Sequence, residues 1–207
     1  MSRKTLQRIA ILASVAIWLA TAVSARADIT FETGNNPQKG EQNILFKTDQ
    51  SSSIVTGFTN RSATLVDFSS TTDTLNVTAK GQANLTASDG AINDVTISVP
   101  GHTFTDLIFD LEIGKLGTST ADVTVLEGDG TTSSFSTGSL GTGSNFFTII
   151  ATNGQTIASV TIDDTIGFAN LKQPRISGIS GVPEPATLAL MGAGLLLGAG
   201  KIRRRRS

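Results

Sequence analysis

Residues 94–99 read DVTISV, and this short stretch indicates the fold of the central part of the chain. Val95, Ile97 and Val99 alternate with polar residues, so the three apolar side chains lie on one face of an extended strand. Thr96 and Ser98 lie on the other face, where short hydroxyl side chains suit a pleated surface in contact with water. The stretch therefore predicts a β-strand with one buried and one solvated face.

The same alternation recurs between residues 28 and 181, a segment that contains 26 Thr and 17 Ser. Residues 104–113 (FTDLIFDLEI) place Leu107, Phe109, Leu111 and Ile113 on one face and mostly acidic side chains on the other. Further strands are predicted at residues 43–46, 54–59, 63–68, 74–79, 83–86, 122–126, 133–136, 146–151, 158–162 and 171–176.

Turn signals rich in Gly, Asn, Asp and Pro separate these runs at intervals of roughly ten residues. No stretch between residues 28 and 181 shows a sustained helical stripe with a cap. About twelve short strands in one domain therefore predict an all-β protein, an antiparallel β-sandwich of jelly-roll type. A signal helix is expected before this body and a short hydrophobic helix after it.

The composition excludes several kinds of active site. The chain has no Cys, which excludes disulfides, thiolate nucleophiles and Cys-type zinc sites. His102 is the only imidazole and follows a Pro-Gly pair. Serine hydrolysis of the common α/β type would need a G-x-S-x-G turn, which the sequence lacks. We therefore expect His102 to be a surface turn residue and the protein not to be an enzyme.

The net charge of -1 conceals three segments of opposite sign. Residues 1–27 carry four basic residues and no acidic one, and residues 182–207 carry five basic residues against one acid. Residues 28–181 carry sixteen acidic and seven basic residues. An acidic body argues against nucleic acid as a partner, and the basic tails indicate a separate role for the two ends.

The first tail has the three parts of a secretory signal peptide. Residues 1–27 (MSRKTLQRIAILASVAIWLATAVSARA) begin with basic residues, continue with an apolar stretch and end in an A-x-A site formed by Ala25 and Ala27. We expect recognition by the Sec machinery and a mature chain that begins at Asp28. An uncleaved N-terminal anchor is the alternative, although the apolar stretch is shorter than the ~20 residues that a membrane span needs.

The second tail also has three parts in a fixed order. Pro183 and Pro185 restrict the backbone and remove two donors, so residues 182–185 (VPEP) should form an extended, accessible tether. Residues 186–200 are uncharged and span about 22 Å as a helix, which inserts only marginally into a bilayer. Residues 201–207 are basic and should remain on the cytoplasmic side.

A tether, a short apolar helix and an arginine cluster in this order closely resemble the C-terminus of the PEP-CTERM family. The resemblance implies recognition by an exosortase, transient residence in the inner membrane, and delivery to the outer surface or extracellular matrix of a Gram-negative bacterium. It assigns the sorting motif to Val182, Pro183, Glu184 and Pro185, and the basic stop signal to Arg203, Arg204, Arg205 and Arg206. An ordinary C-terminal membrane anchor after a Pro-rich linker is the alternative.

These features give the expected domain organisation. It comprises a signal peptide (1–27), a β-sandwich domain (28–176), a linker with the PEP motif (177–185), a hydrophobic sorting helix (186–200) and a basic tail (201–207). The linker is expected to begin with the small residues Ser177–Gly181.

Two acidic pairs are candidate ligands for a structural calcium ion. Glu127 and Asp129 flank a glycine, and Asp163 and Asp164 follow a predicted strand. Carboxylate and carbonyl oxygens at strand ends suit calcium, which takes six to eight oxygen ligands. Turns also select Asp and Gly for backbone reasons alone, so both interpretations stay open. No other cofactor is expected.

The sequence leaves three functions for the body. The first is a non-catalytic surface or matrix domain used for adhesion or association with extracellular polysaccharide. The second is a calcium-dependent carbohydrate-binding module, and the third is a glycoside hydrolase with a carboxylate pair. Residues 28–181 lack Trp and Tyr, the usual platforms for stacked sugars, which counts against the last two.

Overall fold

The computed structural model describes residues 28–78, 81–115 and 117–181. The helices predicted for residues 1–27 and 186–200 lie outside these ranges. Among the described residues, no helix is long and apolar enough to span a membrane. The strands are β1 (Asp28–Thr33), β2 (Gln42–Leu45), β3 (Gln50–Ser52), β4 (Ile54–Thr59), β5 (Leu65–Ser69), β6 (Leu75–Val77), β7 (Asn84–Ala87), β8 (Ile92–Ser98), β9 (His102–Thr103), β10 (Asp106–Glu112), β11 (Asp122–Glu127), β12 (Thr132–Ser136), β13 (Ser144–Thr152), β14 (Ile157–Phe168), β15 (Asn170–Ser177) and β16 (Ser180–Gly181).

The main strands form two antiparallel layers. The first layer has the order β1-β13-β10-β15, and β7, β6 and β3 continue it beyond β15. The second layer has the order β4-β5-β8-β14-β11-β12. β2 joins the two, because Asn43 pairs with β15 whereas Ile44 pairs with β4. The prediction of an all-β antiparallel sandwich is confirmed.

A single apolar core lies between the layers. Val95 and Ile97 of β8 are fully buried, while Thr96 and Ser98 are partly exposed, as the alternation predicts. Phe109 and Phe147 face each other from neighbouring strands of the first layer, with ring centroids 5.7 Å apart. Phe side chains and aliphatic residues thus fill the space that Trp and Tyr occupy in other sandwiches.

Strand β10 is buried on both faces, unlike the half-solvated strand that its sequence pattern suggests. Leu107 and Phe109 belong to the core, as expected. On the opposite face, Asp106 is 1% exposed, and Ile108 and Asp110 are 0% exposed. The carboxylate oxygens of both aspartates lack a hydrogen-bond partner. Burying two charged carboxylates without hydrogen-bond partners would destabilise the folded state, so their burial depends on what covers this face.

The loop of residues 34–41, here called the covering loop, lies over this outer face. Thr148 and Arg175 flank Ile108 on the two neighbouring strands. The Thr148 hydroxyl donates to the Gly34 carbonyl at 2.8 Å. Arg175 donates to the side chain of Asn35 and forms an ion pair with Glu41, with Nη1 and Oε2 3.3 Å apart. The covering loop is therefore anchored on both sides of Ile108.

The covering loop also sets the protonation of Asp106. Burial raises the pKa of the Asp106 carboxyl to about 7, and the negative charge of Glu41 adds to the increase. The Ser177 hydroxyl and the positive charge of the Arg175 guanidinium act in the opposite direction and lower the pKa of Asp106. A neutral carboxyl group is cheaper to bury than a carboxylate, so protonation relieves part of the cost of placing Asp106 here.

The two ends of the described chain lie at the same end of the sandwich. Asp28, the first residue of β1, pairs with Thr152 at the end of β13. Gly181, the last described residue, pairs with His102, which precedes β10. β10 starts at this same end, because its first residue Asp106 pairs with Ile150 of β13 and with Ser177 of β15. We call this the proximal end and the opposite one the distal end.

We expect Asp106 to make stability depend on pH in an unusual direction. Its pKa is about 7 in the folded chain and ~3.9 when unfolded, so the folded state binds more protons between these values. The free energy of unfolding should therefore decrease by up to about 4 kcal/mol as pH rises from ~4 to ~7.

Chemical denaturation of purified residues 28–181 across this pH range measures the effect. The Asp106→Asn variant is the matched control, since an amide cannot titrate and the variant should lose this part of the pH dependence. Parallel pH profiles for the two proteins would contradict the assignment.

Candidate functional site

Three carboxylates form a row across neighbouring strands at the distal end. Asp122 of β11 pairs with Asp163 of β14, which pairs in turn with Asp94 of β8. All three alternate with core residues, so they share the outer face of the second layer. Adjacent strands are about 4.8 Å apart, which brings the three acids close together.

Asp94 is held as a carboxylate by a cap of donors. It accepts hydrogen bonds from Ser70 Oγ at 2.7 Å, from the backbone N–H groups of Thr71 and Thr72 at 2.8 and 3.0 Å, and from the hydroxyls of both threonines. Burial alone raises the pKa of Asp94, but the hydrogen bonds from Thr72, Thr71 and Ser70 outweigh it and lower the value to about 2. Asp94 therefore stays ionised and fixes the β5–β6 connection.

Asp163 and Asp122 are exposed, in contrast to Asp94. The surrounding protein still removes part of the water around Asp163, which raises the pKa of its carboxyl, and the negative charges of Asp94 and Asp122 raise it further. The row is thus a region of negative potential in which one carboxylate is structural and two remain accessible. Accessible carboxylates of this kind accept hydrogen bonds from hydroxyl or ammonium groups.

The row lines an open cleft of about 280 Å³. Its walls contain hydroxyl, amide and carboxylate groups and no aromatic ring. The lining residues are Thr71, Thr72, Asn93, Asp94, Thr120, Asp122, Asp163, Asp164 and Thr165. Such a polar cleft suits a ligand that offers many hydrogen bonds, such as a sugar or another polyol.

Asp164 is buried and has a structural role beside the cleft. One of its oxygens, Oδ1, accepts hydrogen bonds from the backbone N–H groups of Ile166 and Gly167 at 2.9 and 3.0 Å and from the Ser119 hydroxyl. Its other oxygen has no partner. Asp164 therefore secures an irregular part of β14, where the pairing register with β8 shifts.

Glu127 and Asp129 belong to a turn at the proximal end. The Gln155 side-chain amide donates to both carboxylates, at 3.2 Å in the case of Asp129. Ser133 Oγ donates to Glu127 at 2.6 Å, and Thr131 donates to Asp129 through its backbone N–H and its hydroxyl. Hydrogen bonds from Thr131 and Gln155 lower the pKa of Asp129. These acids stabilise the β11–β12 connection.

The structure thus separates the two acidic pairs that the sequence offers as calcium ligands. Glu127 lies five residues along β11 from Asp122, about 16 Å at the usual rise per residue, and Asp122 is the partner of Asp163. Within the described ranges, no group of three or more His, Cys, Asp or Glu side chains is arranged to hold a metal ion. Calcium binding stays a prediction.

His102 lies on β9 at the proximal end and is exposed. Its Nδ1 atom is 2.9 Å from the carbonyl oxygen of Pro100, so the ring contacts the backbone of its own turn. This position agrees with a turn residue. Asp94 and Asp122, by contrast, are site residues that the sequence alone did not single out, because each looks like an ordinary strand-end acid.

The remaining predicted sites lie outside the described residues or at their edge. Ala25 and Ala27 of the signal cleavage site, the VPEP motif and the terminal arginines are outside them. Asp28 is described and begins β1. Cleavage after Ala27 stays a prediction.

Comparison with protein families identifies residues 181–206 as a PEP-CTERM protein-sorting motif. This confirms the resemblance on which the C-terminal assignment depends. The match begins at Gly181, the last residue of β16, and therefore starts where the described domain ends. No curated protein matches the chain.

Among solved structures, the chain is similar to family 29 carbohydrate-binding modules. An arginine-to-alanine mutant of CBM29-2 has 10% sequence identity and a TM-score of 0.27, with 74% of this chain and 89% of that chain covered. A CBM29-2 mutant in complex with mannohexaose has 11% identity and a TM-score of 0.22, with 74% and 90% covered.

We expect the Asp94→Asn substitution to destabilise the fold at neutral pH. The substitution replaces a carboxylate that accepts five hydrogen bonds with a neutral amide, so the free energy of unfolding should decrease by about 2–4 kcal/mol. Because the pKa of Asp94 is lowered to about 2, its stabilising effect should be present above pH ~4 and lost as pH falls towards 2.

Denaturant titration of both proteins measures the effect. Asp122→Asn, in the same row but exposed, is the matched control and should change stability by no more than about 0.5 kcal/mol. Equal effects of the two substitutions would argue against the structural role of Asp94.

Proposed function

We propose that the protein is an exported, non-catalytic surface or matrix protein that an exosortase processes at its C-terminal sorting motif. The observation that carries this proposal is the PEP-CTERM motif at residues 181–206, which continues directly from β16. In this proposal Pro183, Glu184 and Pro185 are recognised, and Arg203–Arg206 stop export. The body is then released to the outer surface or the extracellular matrix.

The position of the chain ends supports an orientation for the tethered precursor. Asp28 and Gly181 both lie at the proximal end, so any membrane attachment through either tail holds that end towards the membrane. Ile157, the first residue of β14, bridges to Phe104 at the same end. Asp163 lies six residues further along β14, about 20 Å away. The acidic cleft therefore faces outwards in our proposal.

We further propose that the body associates with neutral extracellular polysaccharide through the distal cleft and the adjoining outer face of the second layer. On this face Thr124, Thr161, Thr96 and Ser69 follow one another across four strands. Hydroxyls and carboxylates bind sugar hydroxyls without needing charge on the polymer. Sixteen acids against seven bases in residues 28–181 disfavour acidic polymers.

A second candidate function is hydrolysis of a glycosidic bond. The adjacent carboxylates of Asp122 and Asp163, with the pKa of Asp163 raised, are the observation in its favour. The cleft lacks the aromatic rings that usually hold a sugar in such enzymes. We therefore favour carbohydrate binding over glycoside hydrolysis as the function of the cleft.

We expect processing to depend on the exosortase and on Glu184. In cells with the enzyme, the mature chain should lack Arg203–Arg206; without it, a longer precursor should remain in the membrane fraction. The Glu184→Gln variant should accumulate as precursor in cells with the enzyme and in cells without it. The Thr187→Ser variant, changed outside the PEP element, should be processed normally in cells with the enzyme. Mass spectrometry of the exported chain gives the result. Retention of the arginines after export in cells with the enzyme would favour an ordinary anchor.

We expect the Asp122→Asn/Asp163→Asn double variant to lose carbohydrate binding. Losing two charged acceptors should weaken binding to neutral oligosaccharides on a glycan array by about tenfold or more. Asp129→Asn is the matched control, because Asp129 is also exposed but lies at the proximal end. Equal binding by all three proteins would exclude the cleft, and release of reducing ends by the wild type would favour the hydrolase.

A further inference from the structure

The last described residues are packed onto the proximal end of the domain. Ser177 is buried, and its carbonyl accepts a hydrogen bond from the Thr105 N–H at 3.1 Å. Gly178 has a φ of 63°, and a Cβ at this position would clash with Thr105 Oγ1. Only glycine allows the backbone to pass so closely over Thr105. Ile179 packs against the core. The segment between β15 and β16 is therefore part of the fold.

β16 then forms a short antiparallel pair with β9. Ser180 lies opposite Thr103 and Gly181 opposite His102. The hydroxyls of Thr103 and Ser180 are 3.3 Å apart, and both residues of β16 are exposed. A two-residue pair with so little buried surface is among the elements that open by local fluctuation while the rest of a domain stays folded.

This pair lies immediately before the sorting motif in the sequence. Only Val182 separates Gly181 from Pro183. Consecutive Cα atoms are 3.8 Å apart, so the Cα of Pro183 is within about 7.6 Å of that of Gly181. An enzyme that binds the PEP element must therefore approach the proximal end closely.

Peptide segments held in an extended form are bound largely through their backbone N–H and C=O groups. On the N-terminal side of the PEP element these groups belong to Ser180, Gly181 and Val182, and β9 already pairs with the first two. An enzyme that held this flank in extended form would therefore need backbone groups that β9 already pairs.

We infer that the β9–β16 pair is a latch that must open before the exosortase cleaves at the sorting motif. The inference rests on the proposed function, because it concerns the regulation of that processing step. The enzyme acts only on chains in which β16 has left β9, so the processing rate is proportional to the fraction of open chains. The latch makes release of the body slower than cleavage of a free tail would be.

A disulfide across the pair tests the latch. Directly paired residues of antiparallel strands have Cα atoms about 4.5–5.5 Å apart, within the range that a disulfide bridges. Gly181 has open space around its Cβ position, so a side chain fits there. The chain has no native Cys, so the His102→Cys/Gly181→Cys variant forms one defined bond in an oxidising compartment.

The expected result is that membranes containing the exosortase process the oxidised double variant at least about tenfold more slowly than the same protein after reduction. Ser51→Cys/Asn76→Cys, whose residues pair in the first layer, is the control for cross-linking and should be processed equally when oxidised and reduced. Recovery on reduction also shows that the double variant folds. Equal rates for its two redox forms would overturn the latch.

A second variant tests the latch from the opposite direction. Inserting Gly-Ser-Gly-Ser between Gly181 and Val182 moves the motif away from β16, so processing should become several-fold faster and independent of the disulfide. An insertion that leaves the disulfide effect unchanged would contradict the inference. A wild-type chain that the exosortase does not cleave would instead contradict the proposed function, so the two failures are distinguishable.

Discussion

Pairing of β10 on both edges, together with its burial on both faces, is the constraint on which the rest of the structure depends. β13 lies along one edge and β15 along the other, and the residues of β15 are 58 to 71 positions away in sequence from their partners in β10. β1 adds to β13, and β15 leads to β16, which places the two chain ends beside the start of β10. The positions of Asp28 and Gly181, the two ends of the described chain, therefore follow from this one strand.

Acidic side chains serve different purposes according to the donors around them. Asp94 is ionised because Ser70, Thr71 and Thr72 surround it with hydrogen bonds. Asp106 has no comparable set of donors, since Ser177 and Arg175 only partly offset its burial, and its raised pKa favours the neutral form at mildly acidic pH. Asp163 is open to solvent, so it is free to meet a ligand. The geometry of donors, more than the number of acids, therefore decides which carboxylates are available.

Sequence pattern predicted what depends on neighbours along the chain. Residues 54–59 are β4 as expected, and the solvated face of β8 is where its alternation places it. The pattern did not predict β1, β3, β9 or β16. Strands of two or three polar residues such as β3, β9 and β16 carry no periodicity, and β1 has only Ile29 and Phe31 as apolar positions. Burial of Asp106 and the donors to Asp94 depend on residues distant in sequence, the covering loop and the β5–β6 connection. The sorting motif was predictable because it is read as a linear segment.

In the proposed membrane-bound precursor, the separation between the two ends of the sandwich keeps the acidic row of the cleft away from the lipid. Anionic lipid headgroups repel carboxylates, but at physiological ionic strength this interaction is screened over about 8 Å. The row formed by Asp94, Asp163 and Asp122 lies about 20 Å from the proximal end, more than two screening lengths away. At the proximal end, Glu127 and Asp129 are already bound by the Gln155 amide. Although Asp28 and Asp129 are exposed at the proximal end, the acidic row of the cleft therefore lies beyond the reach of the lipid headgroups in the proposed precursor.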